Sequence, residues 1–166
     1  MTEPRFDLNA NALGAKLGKR FQSVSVALMQ SQALPKTLTE LVELRASQIN
    51  GCGYCTDAHA KDLAAAGESA TRINLVAVWR ETTVFTEAER AALAFAEEGT
   101  RLADTATGVS DETWAQVRAH FDDDQIAALI YVISCINAAN RMLVITKTKG
   151  GSYVPGTFES IAAAAR

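Results

Sequence analysis

The sequence predicts an all-α protein. Apolar residues recur mostly at three- and four-residue spacing, the period of a helix with one buried face. No Asn-Gly or Asp-Gly pair joins two alternating runs, so the strongest hairpin signal is missing. The longest and most apolar segment, DDDQIAALIYVISCINAANRMLVITK, reads as a central buried helix opened by three acidic residues that suit the positive end of a helix dipole.

Each element has a local reason. Asn9 or Asn11 caps a first helix running to about Met29, with an apolar side of Leu13, Leu17, Val24 and Leu28. Pro35 suits the first turn of a second helix, which stops at Asn50-Gly51. A third helix starts at Cys52 or Gly53 and ends at Gly67. Ser69 caps a short fourth one carrying Ile73, Leu75, Val76 and Val78. Thr86 followed by Glu89 is a capping box that opens a fifth helix to about Ala103. Ser110, with Thr113 and Trp114, opens a sixth, and the segment from Asp122 to about Lys147 is the seventh. Residues 148–166, with Gly150, Gly151, Pro155 and Gly156, read as a loose tail or a packing arm of a single domain spanning 1–166.

Composition limits the function classes. A chain of 166 residues, 48% apolar and 21% charged, can bury one core and is not of disordered type. A net charge of -3 without a Lys/Arg cluster gives no footprint for nucleic acid or an anionic membrane. The first residues lack the pattern of a signal peptide, and no uninterrupted apolar stretch has transmembrane length, so a soluble cytoplasmic protein is expected. Three cysteines in such a compartment point to catalytic or metal chemistry, or to none, rather than to a disulfide framework.

The chemistry concentrates in QINGCGYCTDAHAKD. On a helix, Cys52, Cys55 and His59 are offset by three and then four positions and share one face. Near a helix N-terminus the partial positive charge lowers thiol pKa, and His59 stands one turn from Cys55 as a base, so either thiol can become the thiolate. The spacing also lets the two sulfurs close into a disulfide and reopen. A carboxylate to orient the histidine is available on the preceding helix. Counting about 1.5 Å per residue about Gly51 sets Glu43 level with His59 and Glu40 one turn further. Three plainer readings compete. Two buried core cysteines need no chemistry. Zinc would use the cysteine pair with His59, but a second Cys/His pair is missing. Thioredoxin-like chemistry needs a preceding strand, which the sequence lacks.

The run TELVELRASQINGCGYCTDAHAKDLAAAG resembles the core of the AhpD-like alkylhydroperoxidases within the carboxymuconolactone decarboxylase family. WRETTVFTEAERAALAFAEE and INAANR resemble later segments of the same family, so the likeness covers roughly residues 10 to 150. It implies an AhpD-like helical bundle with the C-x-x-C at the start of a core helix, assembled as trimers or hexamers. It also implies an antioxidant thiol peroxidase that reduces hydroperoxides with no cofactor beyond a redox-active Cys52–Cys55 disulfide, recycled by a protein or thiol reductant, and with no bound metal. Residue by residue, Cys55 is implied as peroxidatic, Cys52 as resolving, His59 as the base and Glu40 as its carboxylate, where counting favours Glu43. Two positions depart from the pattern. Tyr54 stands where the best-studied family peroxidase has a relay histidine, and a phenol with a pKa near 10 is a poor base at neutral pH. Ala139 stands where similar sequences often carry tryptophan. The decarboxylase branch generally lacks the cysteine pair, which argues against carboxymuconolactone as substrate. The rival reading is a disulfide oxidoreductase, or a redox relay or sensor without peroxidase turnover.

Elsewhere, Cys135 reads as a buried small apolar residue of the seventh helix, and His120 as a solvent-facing helix end. Asn137, Asn140 and Arg141 need partners if buried, and Trp79 and Trp114 read as core or interface aromatics.

Overall fold

The computed structural model describes residues 4–104 and 107–164, and residues 165 and 166 of the expected tail lie outside them. Among the described residues there are helices and no strand: α1 (Ala12–Ser31), α2 (Lys36–Ile49), α3 (Gly53–Ala65), α4 (Ala70–Leu75) followed by a 3-10 segment (Val76–Glu81), α5 (Glu87–Thr100), α6 (Asp111–His120), α7 (Asp123–Ile145) and α8 (Thr157–Ala164).

The caps are largely those the sequence signals. Asn11 accepts the Gly14 N–H at 2.9 Å, and Thr86 and Glu89 close a capping box. Asp122 forms a second box with Gln125. Pro35 is the N-cap of α2 rather than a first-turn residue, and α5 stops at Thr100, before Ala103. The α2–α3 connection is a Schellman turn. Gly51 takes φ +65, its N–H bonds the Gln48 carbonyl, and the Cys52 N–H bonds the Ser47 carbonyl at 3.0 Å. This turn folds α3 back along α2 and sets Cys52 as the N-cap of α3.

Two apolar clusters hold the bundle. Val42, Ala92, Phe95, Val117, Leu129 and Ile133 join α2, α5, α6 and α7. Leu41, Leu44, Leu63, Trp79 and Leu93 join α2, α3 and α5 through the 3-10 segment. Glu97 fastens the same region by accepting from Arg45 Nε at 2.7 Å and Trp79 Nε1 at 3.0 Å, and it also pairs with Arg80. Trp79 is therefore a core residue, whereas Trp114 is largely exposed.

Two expectations fail on the outer side. On α1, Val26 is buried and Leu28 packs on the core, but Leu13 (66% exposed), Leu17 and Val24 face outward. Periodicity finds an apolar face without saying what covers it, and one chain supplies no cover here. The seventh helix is only half buried: Ile130, Tyr131, Val144 and Ile145 (69% exposed) lie outside. By length and mean hydropathy α7 also passes for a membrane span, although Ser134, Asn137, Asn140 and Arg141 interrupt its apolar run as the sequence reading has it. Its Asn137 and Asn140 are buried inside the bundle, the behaviour of a core helix.

Residues 150–158 pack against α3 as an arm. Gly151 and Tyr153 N–H groups bond Asp57 Oδ2 at 2.7 and 3.2 Å, Gly156 N–H bonds Asp62 Oδ1 at 2.8 Å, and Tyr153 is buried. A side chain at Gly150 would sit 2.4 Å from the Gly53 carbonyl oxygen, so the arm's backbone lies directly on the peptide between the two cysteines.

Candidate active site

The Schellman turn and the start of α3 fix the two sulfurs. Cys52 Sγ accepts the Cys55 N–H at 3.4 Å, as an N-cap side chain does, and lies 2.9 Å from Cys55 Sγ. Both thiols are free and buried, at 1% and 4% exposure, against Ala46 and Ile136 with Tyr54 and Leu143 alongside.

The two thiols do not share charge equally. Cys52 is lowered to about 6, first by the hydrogen bond from the Cys55 thiol and then by backbone N–H groups and Asn140, against the opposing cost of burial. Cys55 is pushed well up by that same bond, by burial and by the Cys52 charge. The proton shared between them therefore rests on Cys55, because Cys52 already accepts a backbone N–H.

His59 is buried one turn along α3. Its Nδ1 is 2.9 Å from Glu40 Oε2 and 3.5 Å from Glu43 Oε2, so α2 brings both candidate carboxylates to the ring and Glu40 makes the hydrogen bond. Burial alone would lower the imidazole pKa. The charges of Glu43, Glu40 and Asp62 outweigh it and raise His59 to about 9. Glu43 is raised to about 7, chiefly by burial and against the pull of His59. At neutral pH the histidine is thus an imidazolium bonded to Glu40, with Glu43 held well above the ordinary carboxylate range. Ligand atoms of Glu40, Glu43 and His59 lie within 4.8 Å of one another, and the direct Nδ1–Oε2 bond uses them as a proton-holding set. The cysteines are not part of it, and no hydrogen bond links His59 to either sulfur among the described residues.

Asn50, Ser47 and Thr100 escape sequence reasoning, whereas Asn137, Asn140 and Arg141 find the partners it asks for. Asn50 Nδ2 bonds both Asn137 Oδ1 and Asn140 Oδ1 at 2.9 Å, and Asn140 Nδ2 bonds Ser47 Oγ at 3.1 Å. Asn137 also donates to Thr100 Oγ1 at 3.0 Å, and Arg141 returns to the Asn137 carbonyl, so the polar residues of α7 are paired. Asn140 thereby ties α7 to the turn below the sulfurs and lowers both thiols. Cys135 is half-buried rather than buried, and its thiol is raised by desolvation and by the charge of Glu43. His120 is exposed, as expected. Tyr54 is half-buried, raised mainly by burial, and meets the Tyr153 ring edge-on at 6.1 Å. The Phe158 ring lies 6.1 Å from the His59 ring. The concave surface lined by Trp79, Arg80, Glu87, Arg90, Gln116 and His120 is not part of this site.

The chain resembles known proteins along most of its length. The family model of the carboxymuconolactone decarboxylase family matches residues 15–98. The Bacillus subtilis uncharacterized protein YdfG is 32% identical over 123 residues, which is 74% of this chain and 82% of YdfG. A crystal structure from Agrobacterium tumefaciens, of a protein of unknown function ascribed to antioxidant defence as AhpD, superposes with a TM-score of 0.84 at 33% identity, covering 91% of this chain and 100% of that one. The debrominase Bmp8 shares the fold, with a TM-score of 0.73 at 16% identity over 92% of this chain and 78% of its own.

Proposed function

The chain belongs to the carboxymuconolactone decarboxylase family, and we propose that it is an AhpD-like dithiol peroxidase of the cytoplasm that reduces hydroperoxides through Cys52 and Cys55. The supporting observation is a dithiol in 2.9 Å contact at a helix start, one turn from a histidine already bonded to Glu40. The Agrobacterium structure's ascription to antioxidant defence agrees with this reading.

The cycle starts from a Cys52 thiolate, a Cys55 thiol and a protonated His59. The Cys55 proton crosses the sulfur–sulfur hydrogen bond to Cys52. Cys55 then attacks a peroxide oxygen and the O–O bond breaks. The sulfur becomes a sulfenic acid, and the departing alkoxide takes the His59 proton to leave as alcohol. The neutral imidazole recovers a proton from Cys52, whose thiolate attacks the Cys55 sulfur. The S–S bond forms and the hydroxide released leaves as water with that same proton. Two electrons have moved from the thiols to the peroxide, and a dithiol reductant returns them by thiol–disulfide exchange. Glu40 holds the imidazole in place, while Glu43, with a pKa near neutrality, can exchange protons with it. Tyr54 stays protonated and can donate to a peroxide oxygen.

The outward Leu13, Leu17 and Val24 of α1 and Ile130, Tyr131, Val144 and Ile145 of α7 support assembly as a homo-oligomer, a trimer or hexamer. A second reading, a redox relay or disulfide oxidoreductase without peroxide turnover, is favoured by the near-complete burial of both sulfurs. One equivalent of cumene hydroperoxide added to the reduced protein separates the two. Peroxidase chemistry consumes two thiols per peroxide and stops in Cys55→Ser, whereas a relay leaves the peroxide untouched and reduces insulin disulfides.

A further inference from the structure

We infer that Tyr153 and Phe158, carried by the C-terminal arm, are positioning residues for His59: they seal the histidine–carboxylate cluster from water and keep Asp62 from competing with Glu40 for the imidazole. The inference deepens the proposed function, since it names residues that hold the proton donor of that reaction.

The arm is attached at points that converge on this cluster. The Tyr153 hydroxyl donates to Asp62 Oδ2 at 2.6 Å, and the Gly156 N–H occupies Asp62 Oδ1 at 2.8 Å. Both oxygens of a carboxylate that is itself buried are thus engaged by the arm. Lys61 Nζ holds the arm from the other side through the Gly151 and Tyr153 carbonyls at 3.2 and 3.0 Å. The Phe158 ring lies beside the imidazole, tilted at 34°, and packs on Tyr153 with ring centroids 5.1 Å apart, and its N–H reaches the Tyr153 hydroxyl at 3.4 Å. Glu159 then pairs with Lys36 at the start of α2, so the arm spans from α3 to α2 across the histidine.

Charged groups face His59 from each packed element. Glu40 and Glu43 come from α2, and Asp62 from α3 itself. Lys36 and Glu159 lie behind Glu40 and Asp62, while Cys135 of α7 faces Glu43. In a water-excluded pocket these interactions are stronger than in solvent, and the imidazolium keeps its proton for the departing oxygen. Of the three carboxylates that act on His59, Asp62 alone serves no role in the proposed cycle, and the arm takes both its oxygens. Glu40 is left as the hydrogen-bond partner of Nδ1.

The protein has two histidines, His59 and the exposed His120, so a proton NMR titration of the imidazole C–H signals is simple to read. A His120→Gln variant assigns the pair. Tyr153→Phe keeps the ring and frees Asp62 Oδ2 beside the imidazolium, so the His59 midpoint moves up by about half a unit or more. Phe158→Ala admits water, screens the three carboxylates and moves the midpoint down toward the ordinary value, and Phe158→Leu restores it. Far-ultraviolet circular dichroism of each variant reports that the helical fold is intact. If the His59 midpoint stays at the wild-type value in both variants, or if both move it in the same direction, the inference is wrong. The titration uses no peroxide. A protein that shows the expected shifts but consumes no hydroperoxide retains the positioning role and loses the peroxidase reading.

Discussion

His59 Nδ1 and Glu40 Oε2, 19 positions apart in the chain, stand 2.9 Å apart because one Schellman turn at Gly51 folds α3 onto α2. Glu43, one turn further along α2, reaches the same nitrogen at 3.5 Å. The two acids therefore have different work. Glu40→Gln removes the charge that holds the imidazolium and is expected to slow thiol loss to cumene hydroperoxide by about a hundredfold at neutral pH. Glu43→Gln leaves that bond intact and instead removes the inflection near pH 7 from the rate profile. Stopped-flow thiol titration across pH checks both.

The same cluster sets a stability window. His59 is raised in the folded protein to about 9, so its contribution is complete below the unfolded value near 6.5 and is lost as pH rises through 9. Glu43 is raised as well, to about 7, so the folded state loses stability as pH rises from the ordinary carboxylate range through 7. In a Cys52→Ser background, which removes the opposing gain from the lowered Cys52 thiol, urea denaturation should show stability falling between pH 4.5 and 9, by on the order of 2 kcal/mol on the upper limb alone. His59→Gln should flatten that limb.

At the sulfurs, Asn140 supports both thiols and spans Asn50 and Ser47. Asn140→Ala leaves buried polar groups unpaired and should cost about 1–3 kcal/mol. It should also move the pH midpoint of thiol alkylation upward, because a bond that stabilises the thiolate is gone. Asn140→Asp, which cannot donate when ionised, should raise that midpoint further. Iodoacetamide kinetics with peptide-resolved mass spectrometry reads Cys52 and Cys55 separately from Cys135.

Assembly can be probed on the apolar outer side. Leu13→Lys combined with Ile145→Lys sets two charges on surfaces where an oligomer would bury apolar contacts. Light scattering should then give the mass of one chain, with helical content unchanged. A wild type that is already monomeric would remove the oligomer from the proposal.

Much of this was legible beforehand, for physical reasons. Helical period, caps and the Asn50-Gly51 stop are local signals, and they located most of the helices together with the shared face of Cys52, Cys55 and His59. Counting rise per residue brought Glu40 and Glu43 near the ring. Only the resemblance favoured Glu40, since a difference of well under an ångström lies below what counting resolves. The outward turn of Leu13, Leu17 and Val24 was not legible, because period marks an apolar face and not its neighbour. Nor was the half exposure of Cys135. The engagement of Asp62 by Tyr153 joins two segments far apart in sequence with no periodicity relating them. The glycines and proline of residues 148–166 left a loose tail and a packing arm equally open, and the structure shows the arm.

The contact between Gly53 and Gly150 has a consequence for how the protein can change. A methyl group at 150 would meet backbone and not a yielding side chain, so neither the first turn of α3 between the cysteines nor the arm can be redesigned alone. Mutational scans should find position 150 as intolerant as the motif itself. Graftings of this C-x-x-C onto related bundles should succeed only when the recipient's C-terminal segment travels with it.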